Sequence, residues 1–461
     1  MSKSIRRNVF LLSLIVTIFL TIGCAPETQT SSIPWEEPGV YPDRINVTFT
    51  ENPATGFSIT WRTDTSINSG MAELALATAA PRFWRNGTQQ QATTTSFDAS
   101  IVEGETVQAN YHSVTFTGLQ PDTVYAYRVG DGTVWTEWFH IRTASAEPEP
   151  FKFIYFGDAQ NDVQQLWSRV IRAAYAKAPD AKFMVHAGDL VNRAHRNVEW
   201  GEWFYAGSYL HSILPGISVP GNHEYDAYTA EEDEQDIDHL SIHWKPQFTL
   251  PGNGVEGLEE TNYYIDYQGV RIIGLNSNER IEEQAEWMRE ILADNPNNWT
   301  VATFHHPIFS SSEGRDNEDR RAAWKPVFDE FQVDLVMQGH DHTYARGRTV
   351  NVPTGVNVRE PLAGTVYVNS VSGRKMYELK EDGWGEYEGV DMERSAENTQ
   401  LFQVIHVSQD TMKFRAYTAM GDEYNAFDLI KQDEGPNRFV EITPLPETRT
   451  HENTIPYEVD E

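Results

Sequence analysis

Five times in this chain an apolar, strand-length run stops at a residue able to ligate a metal. Residues 151–156 lead to Gly157-Asp158, 182–186 to Gly188-Asp189, and 214–219 to Gly221-Asn222-His223-Glu224. Residues 299–304 lead to His305, and 333–337 to Gly339-His340-Asp341-His342. Side chains placed directly after such strands stand at the lip of a sheet, where open α/β folds bind ligands. One histidine at a strand end is commonly a hydrogen-bonded structural residue, and one Gly-Asn-His-Glu is commonly only a loop. Five oxygen or imidazole donor positions in the same setting, with no thiolate among them, point instead to iron, manganese or zinc.

The rest of the chain sorts around these strands. Residues 39–145 read as short alternating runs, at 45–49, 57–61, 111–117, 125–129 and 138–141, separated by turns. That is the pattern of an all-β sandwich, and the stretch 119–127 looks like the corner of a fibronectin type III-like domain. Glu147-Pro148-Glu149-Pro150, within 146–150, reads as a stiff linker. From residue 151 to 432 strands alternate with helical patterns. Asp162 is placed to cap a helix whose apolar positions are Val163, Leu166, Trp167, Val170, Ile171 and Ala174. Residues 263–276 read as a hairpin, 282–293 as a helix, and 364–372, 401–407 and 412–417 as late strands. The acidic segment 228–251 is expected to be a solvated loop, with calcium binding as the alternative. The acidic tail 433–461 is poor in large apolar residues and is expected to be peripheral or disordered.

At the N-terminus, Lys3, Arg6 and Arg7 precede an apolar run at 9–20 and then Cys24. This is a targeting pattern. Leu20-Thr21-Ile22-Gly23-Cys24 resembles the lipobox of bacterial lipoproteins. The resemblance implies a signal peptide over 1–24, lipidation of Cys24 and a polar tether over 25–38, with a plain signal peptide as the alternative. Export to the cell surface or membrane follows, or secretion if no lipid is attached. Cys24 is the single cysteine, so the chain has no internal disulfide. The formal charge of −32 disfavours nucleic acid and anionic membranes as partners. An anionic substrate would have to be drawn in locally, by metal ions or a few placed cations.

Taken together, the Gly-Asp, Gly-Asp, Gly-Asn-His-Glu, His and Gly-His-Asp-His motifs resemble those of the calcineurin-type metallophosphoesterases. With a β-sandwich in front, the chain is most similar to their purple acid phosphatase branch. The implied fold is α/β, two mixed sheets packed face to face and flanked by helices. The resemblance implies two metal ions, with Asp158, Asp189 and His342 holding one. Asp189, Asn222, His305 and His340 would hold the other, with Asp189 shared. The activity it implies is hydrolysis of a small phosphate ester by a metal-bound hydroxide, with His223 as proton donor to the leaving alcohol.

The sequence also departs from the purple enzymes. Asn192 stands where they carry a tyrosinate ligand three residues after the second Asp, so their colour is not expected; Asn192 could ligate a metal through its carbonyl oxygen or only support the ligands. Gln160 stands where many relatives have a ligating His, and an amide oxygen there could complete the first site. The substrate-facing His expected some ten residues after His305 is absent. Arg315 lies in that region and could grip phosphate with its planar fork, a solvated loop Arg being the alternative. His195 and His306 are read as supporting residues. Phosphate monoesters are the expected substrates. A diesterase or nucleotidase, or a surface binding protein without turnover, are the alternatives. Oligomeric state is left open.

Overall fold

The computed structural model describes residues 35–350 and 361–442, together with the backbone of 448–450. The expected signal peptide, Cys24 and residues 25–34 of the expected tether lie outside the described residues.

The apolar runs become the central strands of two mixed sheets. In the first, Phe151–Phe156, Met184–His186 and Gly216–Ser218 lie side by side and parallel. Antiparallel strands Leu401–Val407, Thr411–Thr418, Glu423–Ile430 and Asn437–Glu441 extend it on one side. In the second sheet the hairpin Tyr263–Tyr267/Val270–Gly274 is followed by parallel Trp299–Thr303, Leu335–Gln338 and Val366–Asn369. Runs that are apolar on both faces suit such doubly covered parallel strands. The aromatic rings of Phe151, Phe153, Phe183 and Tyr267 form part of the shared core, Phe153 stacking on Phe183 at 5.0 Å. Helices Ile281–Ala293 and Glu318–Phe331 contribute Trp287, Met288, Trp324 and Phe328 to a second core with Phe304 and Val336.

The N-terminal domain is a β-sandwich. Strands Asp43–Phe49, Phe57–Thr63, Gln108–Phe116 and Thr93–Asp98 form one face, and a four-stranded sheet forms the other. Trp61, Phe57, Val114, Leu74, Tyr127 and Ile141 pack between them. The sandwich is not a separate bead on a linker. Asp43–Phe49 pairs in parallel with Gly216–Ser218 through Thr48 and Gly216, so one twelve-stranded sheet runs through both domains. Buried polar groups seal the junction. Arg44 donates to the Asn197 side-chain and main-chain oxygens at 2.8 Å and to Gln247 Oε1 at 3.0 Å. Arg62, paired with Asp43 at 2.6 Å, donates to the same Asn197 Oδ1 at 3.1 Å.

Three expectations change. Residues 437–441 of the tail form a sheet strand, and 448–450 pair in parallel with Val390–Glu397. Phe439 is buried, 5.3 Å from Phe427, with the Arg348 guanidinium 4.0 Å over its ring. Phe439, Val440 and Ile442 make too short an apolar group in a polar and acidic stretch to stand out, which is why composition hid the strand. Asp162 does not cap the first helix. Its φ is 48°, the first turn Val163–Trp167 is π-helical, and its carboxylate pairs with Arg374. The segment 228–251 is structured in part, with strands Tyr225–Asp226 and His239–Leu240 pairing and Trp244 buried.

Phe439→Ala should lower stability by about 3 kcal/mol, read as a shift in denaturant midpoint. A peripheral tail would give a change within about 0.5 kcal/mol. Burial pushes both His186 and His211 down to about 3, and neither Nε2 has a hydrogen-bond partner among the described residues. The unfolded chain therefore binds more protons than the folded one between about pH 6.5 and 3. Stability should fall as the pH drops through that window, by up to about 1.4 kcal/mol per unit for each histidine. Urea titrations at pH 7 and pH 4.5 should show a smaller loss in a His186→Phe variant, which keeps a ring beside Phe156 and Trp167.

Candidate metal centre

Because the five strands are parallel within their sheets, their C-terminal ends meet along one line. Glycines let the loops close up. Gly188 has φ 87°, and a Cβ there would stand 2.7 Å from the Gly221 nitrogen and from His305 Nδ1. A Cβ on Gly339 would stand 2.5 Å from Asp158 Oδ2. Asp189, His340 and His342 also have positive φ, at 51°, 72° and 51°. Strain of this kind, about 1–3 kcal/mol per residue, persists only where the surroundings fix it.

Glu224, to which the sequence attached no role, does much of that fixing. Its buried carboxylate accepts four backbone N–H groups, from Gly221 at 2.7 Å, Asp189 and Leu190 at 2.8 Å, and Val191 at 3.3 Å. It thereby ties the Gly-Asp loop to the Gly-Asn-His-Glu loop. Burial pushes this carboxyl up to about 7, the Asp189 charge adding and the N–H groups opposing.

Two donor groups result. Asp158, Asp189 and His342 are buried and bring ligand atoms within 4.8 Å of one another. In the other group, His305 Nε2 lies 3.1 Å from Asn222 Oδ1 and 3.2 Å from Asp189 Oδ2. His340 Nδ1 lies 3.0 Å from Asn222 Oδ1 and 3.2 Å from His305 Nε2. Asp189 belongs to both.

The protonation pattern fits cations. His305 Nδ1 sits 2.9 Å from the Ala187 carbonyl and His342 Nδ1 3.0 Å from the Lys375 carbonyl. Both carbonyls only accept, so each Nδ1 carries a proton and each Nε2 points into the site. The His305 Nε2 faces the Asp189 carboxylate and the Asn222 amide oxygen, a grouping that needs a proton or a cation between its members. Gln160 adds to this. Its amide nitrogen is 3.2 Å from His342 Nε2, while its Oε1 is buried and without a protein partner. Burial pushes Asp158 up to about 8, against the pull of His305 and the His340 N–H, with Asp189 adding. Burial opposes the charge on His305, but Asp189 holds it up to about 9. Asp189 itself lies below the usual carboxylate range: burial would raise it, and His305 and His223 outweigh that.

The other expected residues fall around these groups. His223 N–H donates to Asp189 Oδ1 at 3.0 Å. Its Nδ1 is 2.6 Å from the Asn192 carbonyl, so Nδ1 is the protonated nitrogen and Nε2 is left without a partner among the described residues. The hydrogen bonds of Asn192 run through its backbone. Its N–H and that of Arg193 both donate to Glu199 Oε2, at 2.9 and 2.8 Å. Arg315 Nη1 donates to the His340 carbonyl at 2.9 Å, and its guanidinium lies 4.7 Å over Tyr377. It is half-buried and makes no ion pair among the described residues. His306 bonds Ser277 Oγ at 2.8 Å and packs 4.3 Å from the His340 ring, while His195 bonds the Asp226 carbonyl at 3.0 Å. Glu199, Glu224, Lys375 and Tyr377 were not singled out as site residues; of these only Glu224 carried a signal, as the last letter of Gly-Asn-His-Glu.

Residues 151–344 match the family model described as calcineurin-like phosphoesterase, and 42–143 match the purple acid phosphatase N-terminal domain. An uncharacterized protein of Mycobacterium tuberculosis is 27% identical over 69% of this chain. The chain spans 64% of that relative's length, under two thirds. Purple acid phosphatase 18 of Arabidopsis thaliana is 24% identical, over 79% of this chain and 80% of its own. The structure of purple acid phosphatase PPD1 from yellow lupin, Lupinus luteus, superimposes with a TM-score of 0.67 at 17% identity. It covers 85% of this chain and 75% of the lupin one. The fold and both family models agree: residues 151–344 form a calcineurin-like phosphoesterase domain, of a class of phosphoester hydrolases. In front of it, at residues 42–143, stands the N-terminal domain of the purple acid phosphatase type, the order of domains expected of that type.

Glu224→Ala should strand four buried N–H groups and lower stability by at least about 3 kcal/mol, whereas Glu224→Gln, which keeps an acceptor, should lose less. Metal affinity by competitive chelation should fall in the same order.

Proposed function

We propose that the protein is an exported, lipid-anchored, metal-dependent phosphatase acting on phosphate monoesters. The observation that carries this is the convergence of two donor groups on Asp189, with imidazole nitrogens turned inward. Asp158, Asp189, His342 and the Gln160 carbonyl oxygen would hold one cation. Asp189, Asn222, His305 and His340 would hold the second. Oxygen and nitrogen donors without thiolate suit iron, manganese or zinc, divalent or of mixed valence. Cations there supply Lewis-acid activation of water and neutralise phosphoryl oxygens.

The chain's own residues do the rest. The Asn192 carbonyl fixes the His223 ring through Nδ1–H, leaving Nε2 free to take up a proton and pass it to the leaving oxygen. Arg315, anchored at the His340 carbonyl, offers its remaining N–H groups to non-bridging oxygens. An unpaired guanidinium favours the dianion of a monoester over the monoanion of a diester. Export and anchoring rest on the basic, apolar and Cys24 pattern of residues 3–24. The partner is a small phosphate ester, with no nucleic acid.

Metal content and hydrolysis of p-nitrophenyl phosphate and bis(p-nitrophenyl) phosphate, on protein beginning after Cys24, test this reading. About two metals per chain are expected, with the monoester turned over faster. Asp189→Ala should lose both metal and activity. His223→Asn should keep the metal and lose roughly 10²–10⁴-fold in kcat. Faster diester turnover would make the enzyme a diesterase. Metal bound without turnover of either ester would make it a binding protein.

A further inference from the structure

One helix reverses the acidity of the chain. Ser168–Lys177 carries Arg169, Arg172 and Lys177 and no acidic residue, in a chain with 68 acidic and 36 basic ones. All three side chains are exposed, and none makes an ion pair among the described residues. Arg169 donates to Gln400 Oε1 at 3.0 Å and Arg172 to Ser168 Oγ at 3.1 Å, both neutral acceptors. Lys177 Nζ lies 4.9 Å over the Tyr417 ring.

Exposed rings border the same helix. Tyr205 and Tyr209, each 53% exposed, stand about one turn apart where helix Asn197–Gly207 runs into the turn Ser208–Leu210. Tyr209 meets Tyr175 of the basic helix edge-on at 6.2 Å, and Tyr205 packs 4.4 Å from Trp35. At the C-terminal end of the basic helix, Met420 is 78% exposed, and a Cβ on the adjoining Gly421 would stand 3.1 Å from Lys177 Cε. Rings with a polar tip, set beside guanidinium and ammonium groups, match a lipid–water boundary. The rings sit at headgroup level, and the cations are drawn to anionic headgroups.

The chain itself indicates what covers this face. The expected tether joins the described fold at Trp35, whose carbonyl lies 2.5 Å from where a Gly201 Cβ would stand on helix Asn197–Gly207. Residues 25–34 extend no more than about 40 Å, so a lipid on Cys24 would keep the bilayer within that reach of Trp35. The net charge of −32 repels an anionic surface from the molecule as a whole, and on this face the repulsion is locally reversed.

We propose that the face formed by Arg169, Arg172, Lys177, Tyr205 and Tyr209 seats the protein on a phospholipid surface containing anionic lipids. The choice of occupant rests on the anchoring reading above. The lipid on Cys24 sets the distance from the bilayer, and the face sets which side of the molecule lies against it. None of the five residues belongs to the donor groups.

Sedimentation with vesicles tests this, on protein beginning at Ala25, so that binding reports the face and not the anchor. The vesicles are phosphatidylcholine alone and equal parts phosphatidylcholine and phosphatidylglycerol. Wild type should bind the mixed vesicles, and less as salt is added. Arg169→Gln/Arg172→Gln/Lys177→Gln should lower the partition coefficient at least about tenfold. Tyr205→Ser/Tyr209→Ser should lower it at least about threefold, and hydrolysis of p-nitrophenyl phosphate should stay unchanged in both variants. Lys245→Gln/Arg289→Gln/Arg438→Gln, which removes as much positive charge from other elements, should bind as wild type does. Wild type that stays in the supernatant would overturn the assignment, as would a helix variant that binds like wild type or a control variant that loses as much. A wild-type dimer without vesicles, abolished in the tyrosine variant, would give the face to a second copy and overturn it too. Failure of the anchoring reading looks different: the full chain would carry no acyl mass on Cys24, while the form beginning at Ala25 would still sediment with mixed vesicles.

Discussion

One carboxylate carries the geometry of the centre. Glu224 gathers four backbone N–H groups from the loops that present Asp189, Asn222 and His223. Asp189 can hold its left-handed backbone, and Gly221 can lie against its side chain, because those loops are bound to a common acceptor. The arrangement puts a third acidic group beside Asp158 and Asp189 in a region without bulk water. Burial raises both Asp158 and Glu224, and the charge on Asp189 adds to each against the pull of His305 and the backbone N–H groups. A clamp of this kind organises the ligands and at the same time increases the demand for positive charge between them.

The sandwich acts on the same loops from the other side. Arg44 and Arg62 fix Asn197, which opens the helix Asn197–Gly207. Glu199 of that helix holds the backbone of residues 192 and 193, and the Asn192 carbonyl fixes the His223 ring. Arg196 pairs with Glu105 of the sandwich at 2.9 Å, and the Glu103 N–H reaches the Tyr228 carbonyl at 2.8 Å. The sandwich thus helps orient His223, the residue proposed as proton donor.

What the sequence made legible follows from how short-range the information is. Apolar runs ending in Gly-Asp, Gly-Asn-His-Glu and Gly-His-Asp-His announce both the strands and the donors, because strand, turn and ligand lie within a few residues of one another. The sandwich's alternation was equally plain. Strands whose faces are covered by charge were not. Tyr344–Thr349 buries Arg346 against Glu393 and Glu441, and nothing local distinguishes such a strand from a polar loop. The roles of Glu199, Lys375 and Tyr377 depend on partners far away in the chain. Asn192 replaces the expected tyrosinate, and the hydrogen bonds it makes run through its carbonyl and N–H, which a side-chain motif cannot announce.

The single bridge between Thr48 and Gly216 has a consequence for any attempt to divide the molecule. Cut after the Pro-rich segment, the catalytic half would present Gly216–Ser218 as a bare edge, directly ahead of the Asn222 loop. Unprotected edges recruit other strands, so the isolated half would tend to self-associate at the rim of its own metal centre. The sandwich is in this sense a built-in guard, and the two domains form a single unit of assembly.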